Sequence, residues 1–196
     1  RAHRGGDQRV GPVDQKSNLA IIPARGGSKR IPGKNIRMFL GHPMISYSIR
    51  AALGSGLFDQ VMVSTDSEEI AEVALKYGAQ VPFFRSSENS DDYATTSAVI
   101  TEVLLSYLAR KEEFQDICCI YPCAPFVTKD IIQQAAAKKR TEGFDCIIPV
   151  IRYGFPIWRS VKMEQNGSIS MIWPENAQAR SQDLTPAFHD AGQFYY

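Results

Sequence analysis

A loop near the start of the chain carries the residues best suited to chemistry. Gly26 and Gly27 follow an apolar, strand-like run over residues 19–23, and adjacent glycines let backbone N–H groups converge on one anion. Positive charge surrounds the same point, from Arg25, Lys29, Arg30 and Lys34. A surface turn also uses glycine and proline, but it rarely gathers fixed cations directly after an apolar strand. The loop therefore predicts a phosphate-binding site.

The spacing of this loop excludes the two best-known phosphate-binding motifs. A Walker A loop, G-x-x-x-x-G-K-[ST], that ended on Gly33 and Lys34 would have its first glycine where Ser28 stands. The sequence contains no G-x-G-x-x-G fingerprint either. Pro32 restricts the backbone of the same loop. The predicted anion site is therefore built on a different pattern.

The composition is that of a globular protein with one substantial core. The chain has 196 residues, of which 44% are hydrophobic and 22% charged. Its net charge of +1 gives no reason to expect nucleic acid or an anionic membrane as a partner. No apolar run approaches the roughly 20 residues that a membrane-spanning helix needs. Residues 1–17 are polar and aperiodic, so we expect a leader that is disordered or was added for expression.

The cysteines indicate a reducing compartment. They lie in or beside apolar runs, and no pair has the C-x-x-C spacing of a zinc or redox site. The four are Cys118, Cys119, Cys123 and Cys146. Buried, reduced thiols and a cytoplasmic protein are the expectation.

Strand and helix signals alternate along the chain, which predicts an α/β fold with a mostly parallel sheet covered on both faces. The expected strands are Leu19–Pro23, Val61–Ser64, Val81–Phe84, Ile117–Tyr121 and Cys146–Ile151. The expected helices are Met44–Leu53, Ser67–Tyr77, Thr96–Lys111 and Lys129–Arg140. Thr65 and Glu68 have the spacing of a capping box. An apolar stripe from Val99 to Leu108 is expected to be core, and Asn166-Gly167 predicts a hairpin turn.

Polar segments follow the predicted strands, where a parallel sheet binds its ligands. The segment from Arg85 to Thr96 is rich in hydrogen-bonding side chains that could read a base or a ribose. A solvated loop that ends in a helix cap explains it almost as well. Together with the phosphate loop, the segment favours a nucleotide lying across the strand ends.

Several motifs resemble those of the acylneuraminate cytidylyltransferases, the CMP-sialic acid synthetases. They are Ile-Pro-Ala-Arg-Gly-Gly-Ser-Lys-Arg-Ile-Pro-Gly-Lys-Asn at 22–35, Val-Ser-Thr-Asp-Ser at 63–67 and Ser-Asp-Asp-Tyr-Ala-Thr-Thr at 90–96. The segments 121–128, 172–176 and 180–195 resemble the pseudaminic acid branch in particular. Enzymes for the related sugar Kdo generally have proline where Asn35 stands here, which counts against them. The resemblance extends from about residue 18 to the end.

The resemblance implies a Rossmann-like three-layer nucleotidyltransferase fold over residues 18–196. A hairpin region at 152–175 would protrude and form a homodimer, and a further C-terminal segment would follow the last residue. The implied reaction joins CTP to the anomeric hydroxyl of an acidic nine-carbon sugar and releases pyrophosphate, with Mg²⁺ as cofactor. Family members bind Mg²⁺ partly through later aspartates, so the metal ligands are unknown here, and Asp66 would be a guess.

The resemblance also implies roles for individual residues. Arg25 and Lys29 would be catalytic because they neutralise the triphosphate. The other contacts to CTP would come from Gly26, Gly27, Ser28, Asn35, Arg85, Asp92 and Thr96. The sugar would contact Tyr121, Arg180 and Gln193.

Two departures from the family leave the sugar open. Tyr121 replaces the glutamine of sialic acid synthetases, and Cys123 replaces the usual threonine. His189 is either a general base or a hydrogen-bonded structural residue, and Arg180 is either a carboxylate ligand or a surface arginine. Other acidic sugars, such as legionaminic or N-acetylneuraminic acid, are alternatives, and so is a nucleotide-binding remnant without turnover.

Overall fold

Strands and helices form where the apolar runs of the sequence lie. A computed structural model describes residues 18–28 and 31–196, so the expected leader and the cations Lys29 and Arg30 lie outside the described residues. The strands are β1 (Asn18–Pro23), β2 (Met38–Phe39), β3 (His42–Pro43), β4 (Gln60–Ser64), β5 (Asp116–Ile120), β6 (Val150–Arg152), β7 (Val161–Met163), β8 (Ile169–Met171), β9 (Phe188–Asp190) and β10 (Phe194–Tyr195). The helices are α1 (Met44–Ser55), α2 (Glu68–Lys76), α3 (Thr96–Leu108) and α4 (Lys129–Glu142), with short 3₁₀ turns at 157–159, 174–176 and 181–183.

The chain divides into two units. The first contains residues up to Ile147 together with Gln193–Tyr196, and the second contains Ile148–Gly192. The expected hairpin region, 152–175, lies within the second unit, and its role in dimerisation stays a prediction. None of the described helices is long and apolar enough to cross a membrane.

The first unit is built on a four-stranded sheet in the order β10-β5-β1-β4. β1 pairs in parallel with both β4 and β5, whereas β10 is antiparallel to β5. All five residues of β4 are buried, as expected for a strand covered on both faces. The predicted mostly parallel sheet is confirmed.

Alternation along β1 divides the core into two layers. Ala20 and Ile22 pack in a cluster with apolar residues of α1, α2 and α4. Leu19 and Ile21 belong to a second cluster, with Val103 and other residues of α3. Because successive side chains of a strand point to opposite faces, these clusters lie on opposite sides of the sheet. The result is the predicted helix–sheet–helix sandwich.

The stripe on α3 is core except at its end. Val99, Val103 and Tyr107 are buried, as expected, but Leu108 is 51% exposed. Leu108 lies about 140° around the helix from the buried Val103, so it is on the exposed face. Its assignment to the core was wrong.

Two predicted details of secondary structure were also wrong. Residues 81–84 do not form a strand: Gln80 makes one isolated bridge to Met62, and Pro82 has no N–H group to continue the ladder. The capping box is not formed either, because α2 begins at Glu68 and its N-cap is Ser67, whose hydroxyl accepts from the Ile70 N–H. Thr65 instead accepts from the Ser67 N–H.

The last predicted strand is shifted towards the second unit. Only Val150–Arg152 of the region 146–152 forms a strand, β6, which pairs with β9. Ile147 instead exchanges backbone hydrogen bonds with Tyr196 in the first unit. The hairpin about Asn166-Gly167 is confirmed, since β7 and β8 pair antiparallel on either side of it.

The four cysteines differ in burial, which corrects the expectation that all are buried. Cys118 and Cys119 are buried, Cys123 is partly buried and Cys146 is exposed. Burial raises the pKa of Cys119 to about 12 and raises those of Cys118 and Cys123. Thiolates are the reactive form, so the buried thiols should be inert near neutral pH.

We expect iodoacetamide at pH 8 to alkylate Cys146 at least about tenfold faster than any other described cysteine. Peptide mass spectrometry over a time course measures each site. The variant Cys146→Ser should show no fast phase. Rapid labelling of Cys118 or Cys119 in the folded protein would contradict the burial described here.

Candidate active site

Six of the residues expected to bind ligands line one cavity of the first unit. The cavity has a volume of about 350 Å³ and opens at the carboxyl edge of the sheet, where Pro23 ends β1 and Pro122 follows β5. The six are Arg25, Asn35, Arg85, Asp92, Thr96 and Tyr121. A second cavity of about 300 Å³ shares Arg25 and Asp92 with the first and adds Gly27. Together they offer room of the size that small-molecule sites use.

Arg25 is held by the segment that follows Arg85. Its Nη1 donates to the backbone oxygen of Asp91 at 2.5 Å, and its Nη2 pairs with Asp92 Oδ1 at 2.7 Å. Both side chains of the ion pair are about one-third exposed. The planar guanidinium is thus fixed in orientation where it lines the cavity, which suits it to bind a phosphate.

The glycine pair contributes differently from the prediction. The Gly26 N–H, expected to face the anion, donates instead to Asp66 Oδ1 at 2.8 Å. The Ser28 N–H donates to the Gly26 oxygen at 2.9 Å. Gly27 is exposed and lines the second cavity. Asp66, directly after β4, therefore fixes the start of the phosphate loop.

Gly26 lies against the turn that begins α2. A Cβ atom at Gly26 would come 3.0 Å from the Cβ of Ser67. Ser67 is the N-cap of α2, so its backbone cannot move away without disturbing the helix. Only glycine fits this close approach.

We expect Gly26→Ala to lower kcat/KM about tenfold or more, because displacement of the loop misplaces Arg25. Steady-state kinetics measures the loss, and Gly54→Ala is the matched control. A Cβ at Gly54 would meet Lys129 at an ordinary 3.7 Å. Equal kinetics for the two variants would show that the close approach has no functional effect.

Asn35 closes the phosphate loop. Its side chain is buried, with 2% exposed, and its Nδ2 donates to the Arg25 oxygen at 2.9 Å. The Cys123 thiol donates to Asn35 Oδ1 at 3.3 Å. Both ends of the amide are therefore engaged within the protein. This geometry indicates that Asn35 stabilises the backbone of the phosphate loop. Direct recognition of the nucleotide by Asn35 stays a prediction.

Arg85 brings a second guanidinium to the cavity. It is 8% exposed, and its Nε and Nη2 donate to Ser64 Oγ at 3.0 Å and to the Ser64 oxygen at 2.5 Å. Desolvation by burial lowers the pKa of Arg85, while the charges of Asp66 and Glu102 oppose that shift. Arginine nevertheless stays protonated in proteins. The cavity thus contains a buried, fixed positive charge.

Tyr121 lies between the start of α3 and β10. Its hydroxyl lies 3.5 Å from Thr96 Oγ1 and 3.4 Å from the Tyr195 hydroxyl. Its backbone N–H donates to the Gln193 oxygen at 2.9 Å. Gln193 therefore supports Tyr121 through its backbone, and no cavity described here is lined by its side chain.

Lys34 lines the cavity, although the family resemblance assigns it no contact with either substrate. It was counted among the cations of the loop, but only Arg25 and Lys29 were assigned to the reaction. The structure puts Lys34 in the wall of the same cavity as Arg25 and Arg85. In the sequence, the position of Lys34 directly before Asn35 was the feature that could have predicted its place in the cavity wall.

Three further expected residues are not among the described residues that line this cavity. Arg180 belongs to the second unit, where its Nε pairs with Asp183 Oδ2 at 2.6 Å and its side chain is largely exposed. His189, in the same unit, stacks edge-on against Tyr153 with ring centroids 4.9 Å apart. Lys29 lies outside the described residues. The roles of these three residues stay predictions.

A larger groove is lined by residues of α3 and of the segment that precedes it. Its volume is about 870 Å³, and it runs along α3 between Thr95 and Ala109. It is shallow and open, and Arg25 and Lys34, the described cations of the phosphate loop, do not line it. We therefore identify the smaller, charged cavity as the candidate site.

The described residues do not form a metal site of their own. Within residues 18–28 and 31–196 there is no group of three histidine, cysteine or carboxylate side chains that could hold an ion. Asp91 and Asp92 are the carboxylates of the cavity, and both are engaged with Arg25 or with neighbouring N–H groups.

Comparison with known proteins gives one consistent result. The family model described as Cytidylyltransferase matches residues 19–191. A pseudaminic acid cytidylyltransferase of Campylobacter jejuni subsp. jejuni serotype O:2 is 48% identical over 179 residues, which cover 91% of this chain and 77% of the relative. N-acylneuraminate cytidylyltransferase A of Danio rerio is 37% identical over 180 residues, 90% of this chain and 40% of that protein.

A solved structure agrees at the level of the fold. CMP:2-keto-3-deoxy-manno-octonic acid synthetase, solved in complex with CTP, has a TM-score of 0.66 and 18% identity, covering 92% of this chain and 73% of its own. Its fold is that of the Rossmann-like nucleotidyltransferases, as the sequence predicted. From the family match and the identity of its relatives, this chain belongs to the cytidylyltransferase family.

Proposed function

We propose that the protein transfers CMP from CTP to the anomeric hydroxyl of pseudaminic acid and releases pyrophosphate. The observation that carries the proposal is the 48% identity to a pseudaminic acid cytidylyltransferase over 91% of the chain. The cavity at the sheet edge supports it, because Arg25, Lys34 and Arg85 surround one space with positive charge. The segments 172–176 and 180–195, which resemble the pseudaminic acid branch, favour the same sugar.

The reaction is a displacement at the α-phosphate. The anomeric hydroxyl loses its proton to water, its oxygen forms a bond to the α-phosphorus, the bond from that phosphorus to the bridging oxygen breaks, and pyrophosphate leaves. Negative charge on the phosphate oxygens increases in the transition state, and positioned cations stabilise it. Arg25 and Lys34 would bind this charge, since both line the cavity. Holding the two substrates together supplies much of the remaining acceleration.

Asp92 and Asp91 would have a different role from the cations. They orient the Arg25 guanidinium through the 2.7 Å ion pair and the 2.5 Å bond to the backbone oxygen. The triphosphate would therefore meet an arginine that is already aligned. Lys29, the strongest catalytic candidate from the sequence, would add a further charge from the same loop.

We also propose that Mg²⁺ is required and that it arrives with CTP. Mg²⁺ commonly binds through substrate phosphates and only one or two carboxylates, so the lack of a three-ligand group among the described residues is compatible with this requirement. The four free cysteines fit a reducing compartment, which supports a cytoplasmic location.

Exposed apolar side chains in the second unit favour the proposal of a homodimer. It exposes large apolar side chains on short strands, among them Met163 (74% exposed), Ile169 (62%) and Phe188 (55%). Such side chains are typical of surfaces that another protein covers. A second copy of the chain is the proposed partner.

We expect the protein to sediment as a dimer and Ile169→Asp to shift it towards monomer, because a charge would be buried in the interface. Analytical ultracentrifugation measures both. Lys162→Glu, on the same strand pair but already polar, is the control. A wild-type monomer at micromolar concentration would contradict the proposed dimer.

Pyrophosphate release tests the proposed reaction. Purified protein is incubated with CTP, Mg²⁺ and, in separate reactions, pseudaminic, legionaminic or N-acetylneuraminic acid. We expect turnover with pseudaminic acid to exceed turnover with the other two. Activity on N-acetylneuraminic acid but not on pseudaminic acid would overturn the sugar assignment. Binding of CTP in a calorimeter without pyrophosphate release from any sugar would favour a nucleotide-binding protein without turnover.

A further inference from the structure

A carboxylate on α3 anchors the segment that leads to Arg25. Glu102 accepts a hydrogen bond from the Ser86 N–H at 2.7 Å and another from the Ser86 hydroxyl at 2.8 Å. Its Oε2 also accepts from the side-chain amide of Asn89. Hydrogen bonds to an ionised carboxylate are about twice as strong as those between neutral groups. Residues 86–89 are therefore tied firmly to the helix.

The same segment continues directly to the groups that hold Arg25. The Ser90 hydroxyl donates back to the Ser86 oxygen at 2.7 Å, which closes the turn. The next residues are Asp91, whose backbone oxygen accepts from Arg25, and Asp92, whose carboxylate pairs with it. Glu102 itself lines the groove along α3 and is not among the residues that line the Arg25 cavity. Its hydrogen bonds act on that cavity through the loop, and its charge also acts on Arg85, which lines the cavity.

The other end of the segment is anchored to the same helix. Asp91 Oδ1 accepts from the N–H groups of Tyr93 and Ala94, at 2.9 and 2.7 Å. Thr95 then caps α3 by accepting from the Ala98 N–H. Without Glu102, the segment would keep its C-terminal anchor but lose the side-chain contacts that fix residues 86–89. The positions of Asp91 and Asp92 would then be only partly determined.

We propose that Glu102 is a positioning residue of the nucleotide site, which fixes residues 86–90 so that Asp91 and Asp92 orient Arg25. This inference rests on the proposed function, because it assumes that Arg25 binds the triphosphate of CTP. It assigns to Glu102 no contact with either substrate.

Electrostatics keeps the anchor in its accepting form. Desolvation acts to raise the pKa of Glu102, but hydrogen bonds from Ser86 and Asn89 and the charge of Arg85 lower it below its usual value. The side chain is therefore ionised near neutral pH, and both oxygens accept. A neutral amide in its place would present one N–H₂ group to the donors of Ser86 and Asn89.

The test exchanges the hydrogen-bond donor and acceptor between residues 102 and 89. In Glu102→Gln, the new amide faces the Asn89 amide donor to donor, and we expect the KM for CTP to rise about tenfold while the KM for the sugar stays within about twofold. Adding Asn89→Asp restores an acceptor opposite the new donor and leaves the total charge of the pair unchanged. We expect the double variant to recover most of the affinity for CTP. Glu113→Gln, an exposed glutamate beyond α3, is the control.

Two further measurements test the role of Glu102 independently of the transfer reaction. Calorimetry gives the Kd for CTP without any sugar, and hydrogen exchange gives the protection of amides 86–94 without any nucleotide. We expect Glu102→Gln to weaken both and the double variant to restore both. Unchanged protection, or a lower melting temperature with an unchanged Kd, would overturn the inference and leave Glu102 a stabilising residue.

The outcome for the wild-type protein distinguishes this inference from the proposed function. Wild-type protein that binds CTP but transfers it to no sugar would overturn the proposed reaction, while the Kd values of the variants would still decide the role of Glu102. Wild-type protein that binds no CTP would overturn both. Intact protection of amides 86–94 would then show that the anchor exists but serves another purpose.

Discussion

Replacing Arg25 with alanine will lower kcat/KM by about 10²-fold or more. The structure gives the reason: the Arg25 guanidinium lines the cavity, and Asp91 and Asp92 already fix its orientation. A positioned charge needs no rearrangement when negative charge develops on the phosphates, so its loss falls mainly on the transition state. Steady-state kinetics with CTP and the preferred sugar measures the effect, and we expect kcat to fall more than KM rises.

Two companion variants make the Arg25 result specific. Arg25→Lys keeps the charge but loses the planar fork, so it should lose activity to an intermediate extent. Arg37→Ala removes an exposed arginine that follows the same loop and is not one of the described lining residues; its activity should match the wild type. If Arg25→Ala retains activity within about threefold of the wild type, Arg25 does not stabilise the transition state.

Replacing Arg85 with alanine will lower both folding stability and affinity for CTP. The buried guanidinium donates twice to Ser64 at the end of β4, so its removal leaves the Ser64 acceptors without those bonds. We expect a loss of about 1–3 kcal/mol in the free energy of unfolding. The KM for CTP should rise by about tenfold or more, because a buried charge that lines the cavity is lost. Urea unfolding and steady-state kinetics measure the two effects separately.

Ser64→Ala separates the structural role of Arg85 from its role in binding. It removes the hydroxyl that accepts from Arg85 Nε and leaves the guanidinium and the backbone acceptor in place. We expect about 1 kcal/mol of destabilisation and a small change in the KM for CTP. If Ser64→Ala raises that KM as much as Arg85→Ala, then the orientation of the side chain matters more than its charge.

The parts of the fold that follow from local pattern were predictable from the sequence. β1 and β4 are apolar runs because both of their faces are covered. A glycine in the left-handed region ends α1 and α4, as at Gly143 with φ 70°. Residues 81–84 have the composition of a strand but contain Pro82, and tertiary pairing reaches only Gln80. Propensity alone does not show where a neighbouring strand ends its ladder.

The sequence predicted which residues line the site, but it did not predict the hydrogen bonds between them. Cationic and polar residues after each strand meet at one sheet edge by topology, which is why Arg25, Arg85 and Tyr121 line the same cavity. The bond from Gly26 to Asp66 and the anchor from Ser86 to Glu102 join residues from different elements. No spacing within either segment indicates these pairs. Such contacts depend on how elements pack, so they become visible only in three dimensions.

The second unit enters and leaves the fold at one place. Ile147 and Tyr196 exchange backbone hydrogen bonds at 2.9 and 3.0 Å, and the Ala191 N–H donates to the Pro149 oxygen at 3.0 Å. The two ends of the intervening chain are thus held together by backbone hydrogen bonds. Since the entropy cost of closing a loop grows only slowly with its length, the length of this region has little effect on that cost. Because these ends are hydrogen-bonded to each other, we expect substitutions within 148–192 to leave the register of the central sheet unchanged.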